Sequence, residues 1–146
     1  MNDVAVARPS STVVLVRESG DIPELLLMRR HEQSAFGGAH AFPGGVLEDA
    51  DALVENHCTG VTADEADSLL GVDHGLAYFS AAIRELFEES GVLLATASGC
   101  GVDFVAARDA LNAGSLDWRS FVAENDLQLH CGALHYFSFW ITPEAL

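Results

Sequence analysis

The run from Arg84 to Val92, Arg-Glu-Leu-Phe-Glu-Glu-Ser-Gly-Val, constrains the fold more than any other part of the chain. Glu85, Glu88 and Glu89 are spaced i, i+3 and i+4, so a helix projects their carboxylates from one face. Gly91 then predicts the end of that helix, because glycine readily adopts the left-handed backbone conformation found there. The three carboxylates form either a solvated acidic face or a site for a cation with hard oxygen ligands, such as Mg2+ or Mn2+.

A glycine-containing segment, Phe42-Pro43-Gly44-Gly45, precedes this run. Together the two segments resemble the signature of the Nudix hydrolases: a glycine, five residues, a glutamate, seven residues, then Arg-Glu-apolar-x-Glu-Glu-x-Gly-apolar. Every fixed position from Arg84 to Val92 matches. Asp51 stands where the signature has its first glutamate, and 32 residues instead of seven separate it from Arg84. An insertion of 25 residues therefore splits the motif.

The resemblance implies a Mg2+ or Mn2+ site that supports hydrolysis of a phosphoanhydride. Glu88 and Glu89 would be the main metal ligands, with the backbone carbonyl of Gly45 close to them. Glu85 would complete the metal shell or act as general base, and Arg84 would orient the glutamates through ion pairing. Metal ions suit this chemistry because they neutralise phosphate oxygens, activate water and stabilise the leaving phosphate.

In some Nudix enzymes a further carboxylate from a later segment contributes the base or a metal ligand. Glu124, Asp126 and Glu144 are the available candidates, and the sequence does not choose among them.

The resemblance also implies an α/β fold of the α+β Nudix type, with a mixed β-sheet between helices, in a single domain over residues 1–146. An acidic helical insertion at about 52–76 would split the Nudix box. Thr62-Ala63-Asp64-Glu65 has the form of a capping box and Leu69-Leu70-Gly71 that of a helix end. The insertion therefore predicts a small helix whose acidic residues lie on a solvated surface.

Elsewhere, short β-branched and apolar runs predict strands, and longer periodic runs predict helices. In the main helix, Ala77, Phe79, Ala82, Ile83, Leu86 and Phe87 would form the apolar face, and Trp118, Phe121 and Val122 are further core candidates. The predicted elements are a strand hairpin over 11–17 and 24–29, a loop over 31–41, the main helix over 76–90, a short strand over 92–95, helices over 104–113 and 117–124, and a strong late strand over 134–142.

Pro143 would close the late strand, and the sequence ends at Leu146. Nudix domains generally carry a further strand and helix after this point. We therefore expect either a truncated chain or a subunit whose exposed face is completed by a partner, as in a homodimer.

Composition excludes several other classes of protein. The net charge is −15 and only seven residues are basic, which argues against nucleic acid as a partner. The sequence has no 18-residue apolar run, and its start lacks the features of a secretory signal, so we expect no membrane contact and a cytoplasmic location. Cys58, Cys100 and Cys131 are widely spaced and odd in number, which favours buried or indifferent thiols over disulfides or a zinc site.

Upstream residues narrow the substrate class. The stretch from Leu25-Leu26-Leu27-Met28-Arg29 to Gly45 partly resembles the coenzyme A pyrophosphatase motif, although Arg30, Ser34 and His40 differ from it. The split box, residues 91–94 and residues 140–143 are similar to acyl-coenzyme A diphosphatases. The implied substrate-binding residues are Arg29, Arg30, His40, Phe42 and Gly44, with exposed loop surface as the alternative for His40.

Three functional hypotheses follow. The first is metal-dependent hydrolysis of coenzyme A or acyl-coenzyme A to 3',5'-ADP and (acyl-)phosphopantetheine. The second is a Nudix pyrophosphatase acting on ADP-ribose, NADH or a related dinucleotide. The third is a Nudix-like module that binds a nucleotide without turning it over.

Overall fold

The computed structural model describes residues 7–30, 32, 37–99 and 101–141. Helices and short antiparallel strands alternate, and no helix in these ranges is long and apolar enough to cross a membrane. The elements, in chain order, are β1 (Ser10–Thr12), β2 (Val16–Ser19), β3 (Ile22–Leu25), β4 (Met28–Arg29), β5 (His40–Ala41), β6 (Gly44–Val46), α1 (Asp49–Ala52), α2 (Ala63–Leu70), α3 (Gly75–Ser90), β7 (Ala95–Ala97), α4 (Phe104–Asn112), α5 (Trp118–Glu124) and β8 (Leu127–Leu129), with 3-10 turns at Glu55–His57 and Cys131–Ala133.

The described strands pair in four two-stranded antiparallel ladders: β1 with β6, β2 with β3, β4 with β5, and β7 with β8. A parallel bridge joins Cys58 to Leu129. The predicted hairpin is confirmed: Ser19 lies opposite Ile22, and Gly20 in the turn between them has a φ of +62°. Glycine suits this turn because its backbone conformation carries little steric cost there.

The two strands predicted for this hairpin are each divided, because the chain changes partner along its length. Backbone bonds bridge the interruption: the Val13 N–H donates to the Pro43 carbonyl at 2.8 Å, and the Leu26 N–H donates to the Leu15 carbonyl at 3.0 Å. The first segment thus begins against β6 and ends against β3. This switch brings the glycine loop alongside the start of the chain.

Helix α3 carries the glutamates, and its predicted span of 76–90 is confirmed to within one residue. Gly91 ends it at a φ of +81°, with its N–H bonded to the Phe87 carbonyl at 2.8 Å. All the residues predicted for its apolar face are buried. The glutamates therefore project away from the core, with Glu85 and Glu88 partly buried and Glu89 exposed.

Aromatic side chains from α3 and α5 form the centre of the core. The rings of Phe87 and Phe121 stack with their centroids 5.6 Å apart, and Trp118 lies 5.8 Å from Phe121. Phe104 of α4 meets both Phe87 and Phe121 edge-on. The predicted core positions Trp118, Phe121 and Val122 are all buried, and α4 and α5 occupy the predicted spans to within one residue at each end.

The helix predicted within the insertion is present as α2. Thr62 and Glu65 form the reciprocal capping box, and Gly71 ends the helix in the left-handed conformation. The Asp67 carboxylate accepts the Gly75 N–H at 2.5 Å. A side chain at Gly75 would overlap the backbone of Ala66. Helix α2 therefore packs directly on the start of α3.

The strand predicted over 134–142 is wrong for its described part, since residues 134–141 form no strand; residue 142 lies outside the described residues. The strand in this region is β8, which pairs with β7 at 95–97 instead of the predicted 92–95. Leu127 and Leu129 of β8 are fully buried, whereas Phe137 is 93% exposed. A strand forms where burial supports it, and local β-propensity alone does not suffice.

The stacked aromatic core gives a test of stability. We expect Phe121→Ala to lower the free energy of unfolding by about 3–5 kcal/mol, because it leaves a cavity against Phe87 and Trp118. Phe104→Ala is the matched control: its ring is 40% exposed, against 1% for Phe121, so the loss should be less than half as large. Urea denaturation measures both, and equal losses would contradict this description of the core.

Candidate functional site

A buried ion pair between α1 and α3 forms the base of the candidate site. Arg84 is 2% exposed and Asp51 is fully buried. The Arg84 guanidinium donates from Nε to Asp51 Oδ1 and from Nη2 to Asp51 Oδ2, both at 3.0 Å, and from Nη2 to the Val46 carbonyl at 3.0 Å. This two-point geometry orients the guanidinium plane as well as binding it.

Arg84 remains charged in this buried position. Burial alone would lower the pKa of Arg84, but the hydrogen bonds and charge of Asp51, together with the charges of Glu85 and Glu88, raise it above its ordinary value. A permanent positive charge is therefore held beneath the glutamates of α3.

The remaining nitrogen of the same guanidinium reaches these glutamates. Arg84 Nη1 donates to Glu85 Oε1 at 2.8 Å and to Glu88 Oε2 at 3.3 Å, and lies 3.8 Å from Glu48 Oε1. Burial raises the pKa of both Glu85 and Glu88; Arg84 opposes the rise, and neighbouring carboxylates add to it. One cation thus compensates several carboxylates incompletely.

The glycine loop lies against the same carboxylates. The Gly44 N–H donates to Glu89 Oε2 at 3.2 Å. A Cβ at Gly45 would overlap the carboxylate of Glu85, so only glycine allows this approach. The structure therefore brings Gly44 and Gly45 together with Glu85 and Glu89, although about 40 residues separate the two segments.

A chain of buried polar contacts continues from this site into the core. Trp118 Nε1 donates to Ser80 Oγ at 3.0 Å, and Ser80 Oγ donates to Asp51 Oδ1 at 3.5 Å. Ser80 lies one helical turn before Arg84 on α3. Asp51 is thus held by groups from α3 and, through Ser80, from α5.

The predicted substrate residues lie around the glycine loop with fewer contacts. Arg29 and His40 face each other across the β4–β5 ladder and are exposed, and Arg29 forms an ion pair with Glu32 at 3.2 Å. Arg30 is exposed and Phe42 is partly buried. No hydrogen bond or ion pair within the described part of the chain connects these four residues to the glutamates of α3.

The donor set suits a hard divalent cation. Within the described ranges, no three histidine, cysteine or acidic side chains are already arranged to hold a metal, because Glu85 and Glu88 turn toward Arg84. The ligands that Mg2+ and Mn2+ prefer are nevertheless present: carboxylate oxygens and the carbonyl of a glycine loop. The raised pKa of Glu85 and Glu88 shows that these carboxylates lack positive charge.

The later carboxylates lie elsewhere. Glu124 and Asp126 line a surface cavity of about 260 Å³ that contains none of the predicted site residues. Glu144 lies outside the described residues.

Sequence reasoning missed two contributors to the site. Glu48 was not considered, although it lies three residues before Asp51, forms a capping box with it and approaches Arg84. The contact between Trp118 and Ser80 had no sequence signal, because it depends on how α5 packs.

No profile of a known protein family matches the chain. Its structure is similar to the crystal structure of a NUDIX hydrolase from Alicyclobacillus acidocaldarius, with a TM-score of 0.58 and 23% sequence identity. The match covers 87% of this chain and 58% of that one, so the chain spans less than two thirds of that protein's length. The likeness establishes that the chain has a Nudix-type α+β fold, as predicted.

Breaking the buried ion pair tests its structural role. We expect Asp51→Asn to lower the free energy of unfolding by about 3–5 kcal/mol, because it leaves Arg84 buried without its main partner. Asp49→Asn, on an exposed position of the same helix, should change it by less than about 0.5 kcal/mol. Chemical denaturation compares the two variants. Similar effects would show that the pair contributes nothing special to stability.

The pKa shifts predict how pH affects the protein without metal. Because Glu85 and Glu88 have raised pKa values when folded, the folded state binds their protons more tightly than the unfolded state. The stability these two groups contribute is therefore greatest below about pH 4.3 and is lost as pH rises through their folded pKa. The double variant Glu85→Gln/Glu88→Gln should lose less stability than wild type over that rise. Denaturation in EDTA at several pH values measures the difference, and parallel curves would contradict it.

Proposed function

We propose that this chain is a Mg2+- or Mn2+-dependent hydrolase that cleaves the phosphoanhydride of a nucleoside diphosphate linked to another moiety. The observation that carries the proposal is the meeting of the Gly44-Gly45 loop with Glu85 and Glu89, above the buried Arg84. The Nudix-type fold supports it. A bound metal would neutralise phosphate oxygens and activate water at this position.

The residues of the chain would have distinct roles. Glu88, Glu89 and the Gly45 carbonyl would hold the metal, and Glu85 would complete its shell or accept a proton from water. Arg84 is already placed to orient Glu85 and Glu88. Because Asp51 holds Arg84 by two hydrogen bonds, the carboxylates would be held in place before substrate arrives.

Coenzyme A or acyl-coenzyme A is the substrate class we favour within this chemistry. The support is the partial upstream motif and the exposed guanidinium groups of Arg29 and Arg30, near the strand that leads into the glycine loop. A chain of net charge −15 offers few other cations to a phosphate. ADP-ribose, NADH or a related dinucleotide is the alternative substrate.

A nucleotide-binding module without turnover is the second candidate. It is favoured by one observation: Glu85 and Glu88 bond to Arg84, and no metal-ready cluster exists among the described residues. Metal binding would then require these side chains to change partner.

A substrate panel separates these functions. With Mg2+ or Mn2+, we expect the protein to cleave coenzyme A to 3',5'-ADP and phosphopantetheine, as resolved by chromatography. Glu88→Gln and Glu89→Gln should each reduce turnover at least about 100-fold, because each removes a charged metal ligand. Glu18→Gln, at an exposed position on β2, is the matched control and should retain activity.

The other outcomes have clear meanings. Cleavage of ADP-ribose or NADH but not coenzyme A would overturn the substrate assignment. Undiminished turnover in both glutamate variants would overturn the site. Nucleotide binding without any cleavage would establish the module.

A further inference from the structure

A side chain from another helix covers the end of α3. The last carbonyls of a helix have no partner within it. Arg108 of α4 donates from Nε to the carbonyls of Phe87 at 3.1 Å and Glu88 at 2.9 Å, and from Nη2 to the Glu89 carbonyl at 2.7 Å. Asn112, one turn further along α4, donates to the Glu88 carbonyl at 3.1 Å. Three successive carbonyls are thus bound by one guanidinium.

The position of this guanidinium depends on features at both ends. Gly91 has no side chain, and a Cβ placed there would already touch Arg108 at 3.8 Å. Helix α4 is in turn fixed by its cap, in which the Asp103 carboxylate accepts the N–H groups of Val105 and Ala106. Edge-on packing of Phe104 on Phe87 adds to this anchoring. Arg108 is therefore presented to α3 by an ordered helix.

The bonded carbonyls belong to the residues that carry the candidate metal ligands. Fixing the peptide units of Glu88 and Glu89 fixes the direction in which their side chains leave the helix. The positive charge of Arg108 also opposes the partial negative charge at the end of α3, which would otherwise add to the repulsion among the carboxylates. Arg84 acts on the carboxylates from below, and Arg108 acts on their backbone.

We propose that Arg108 is a positioning residue for the Glu88 and Glu89 pair and sets the affinity of this site for a divalent cation. The proposal rests on the function proposed above. Lysine would replace it only in part, because an ammonium group cannot reproduce the planar fork that reaches three carbonyls.

The direct test is Mn2+ binding without substrate, measured by calorimetry on wild type, Arg108→Met, Arg108→Lys and Asn112→Ala. We expect Arg108→Met to weaken binding about 10-fold or more, as loss of a supporting contact does at metal sites. Arg108→Lys should recover part of the loss, and Asn112→Ala should show a smaller one. Arg119→Met, on an exposed position of α5, is the matched control and should bind as wild type.

Hydrogen exchange provides a second readout that needs no metal. Arg108→Met should speed exchange of the amides at the end of α3, including Gly91, and leave those of α5 unchanged. Wild-type Mn2+ affinity in folded Arg108→Met would overturn the proposal, and so would unchanged exchange at that helix end. If Arg108→Met fails to fold, the same two measurements on Arg108→Lys and Asn112→Ala decide.

The failure of the proposed function would look different. Wild-type protein that binds no Mn2+ and cleaves no member of the substrate panel would refute the metal-dependent hydrolase, and with it the affinity part of this proposal. The exchange experiment would still show whether Arg108 orders the end of α3.

Discussion

The ion pair between Asp51 and Arg84 is the contact on which the rest of the site depends. Removing two charges from water costs several kcal/mol per ion, so such a pair survives only with good geometry and additional hydrogen bonds. Here both conditions are met: two parallel bonds at 3.0 Å, the Val46 carbonyl and the Ser80 hydroxyl share the pair. Its consequence is positional, because it fastens α1 and the glycine loop to the middle of α3.

Charge in this molecule is concentrated in a particular way. The chain is strongly acidic, yet two of its seven basic residues serve one helix: Arg84 beneath the carboxylates and Arg108 at the helix end. Even so, burial and mutual repulsion keep the pKa of Glu85 and Glu88 raised. Local compensation is therefore incomplete, and a divalent cation would supply the missing positive charge. An acidic surface and a phosphate substrate are compatible on this basis.

Local sequence signals predicted the parts of the fold that are determined locally. The span of α3, its end at Gly91 and the capped helix α2 depend on periodicity and capping within a few residues. Strand partners and β8 depend on burial between distant segments, so the aromatic run after Leu134 attracted a strand prediction that Leu127 and Leu129 satisfy instead. Likewise, the motif indicated Arg84 and the glutamates, whereas Arg108 and Trp118 reach the site only through the packing of α4 and α5.

The insertion is an integral part of this fold. Lengthening a loop costs little entropy, so 25 extra residues between Asp51 and Arg84 would be tolerated even without structure. Instead, α2 packs on the start of α3, where Gly75 leaves room for the backbone of Ala66. Ahead of α2, the Thr59 N–H donates to the Leu129 carbonyl at 2.8 Å, which ties the insertion to β8. The same segment thus contacts the glutamate helix at one end and the last strand at the other, so deleting it would expose core at both places.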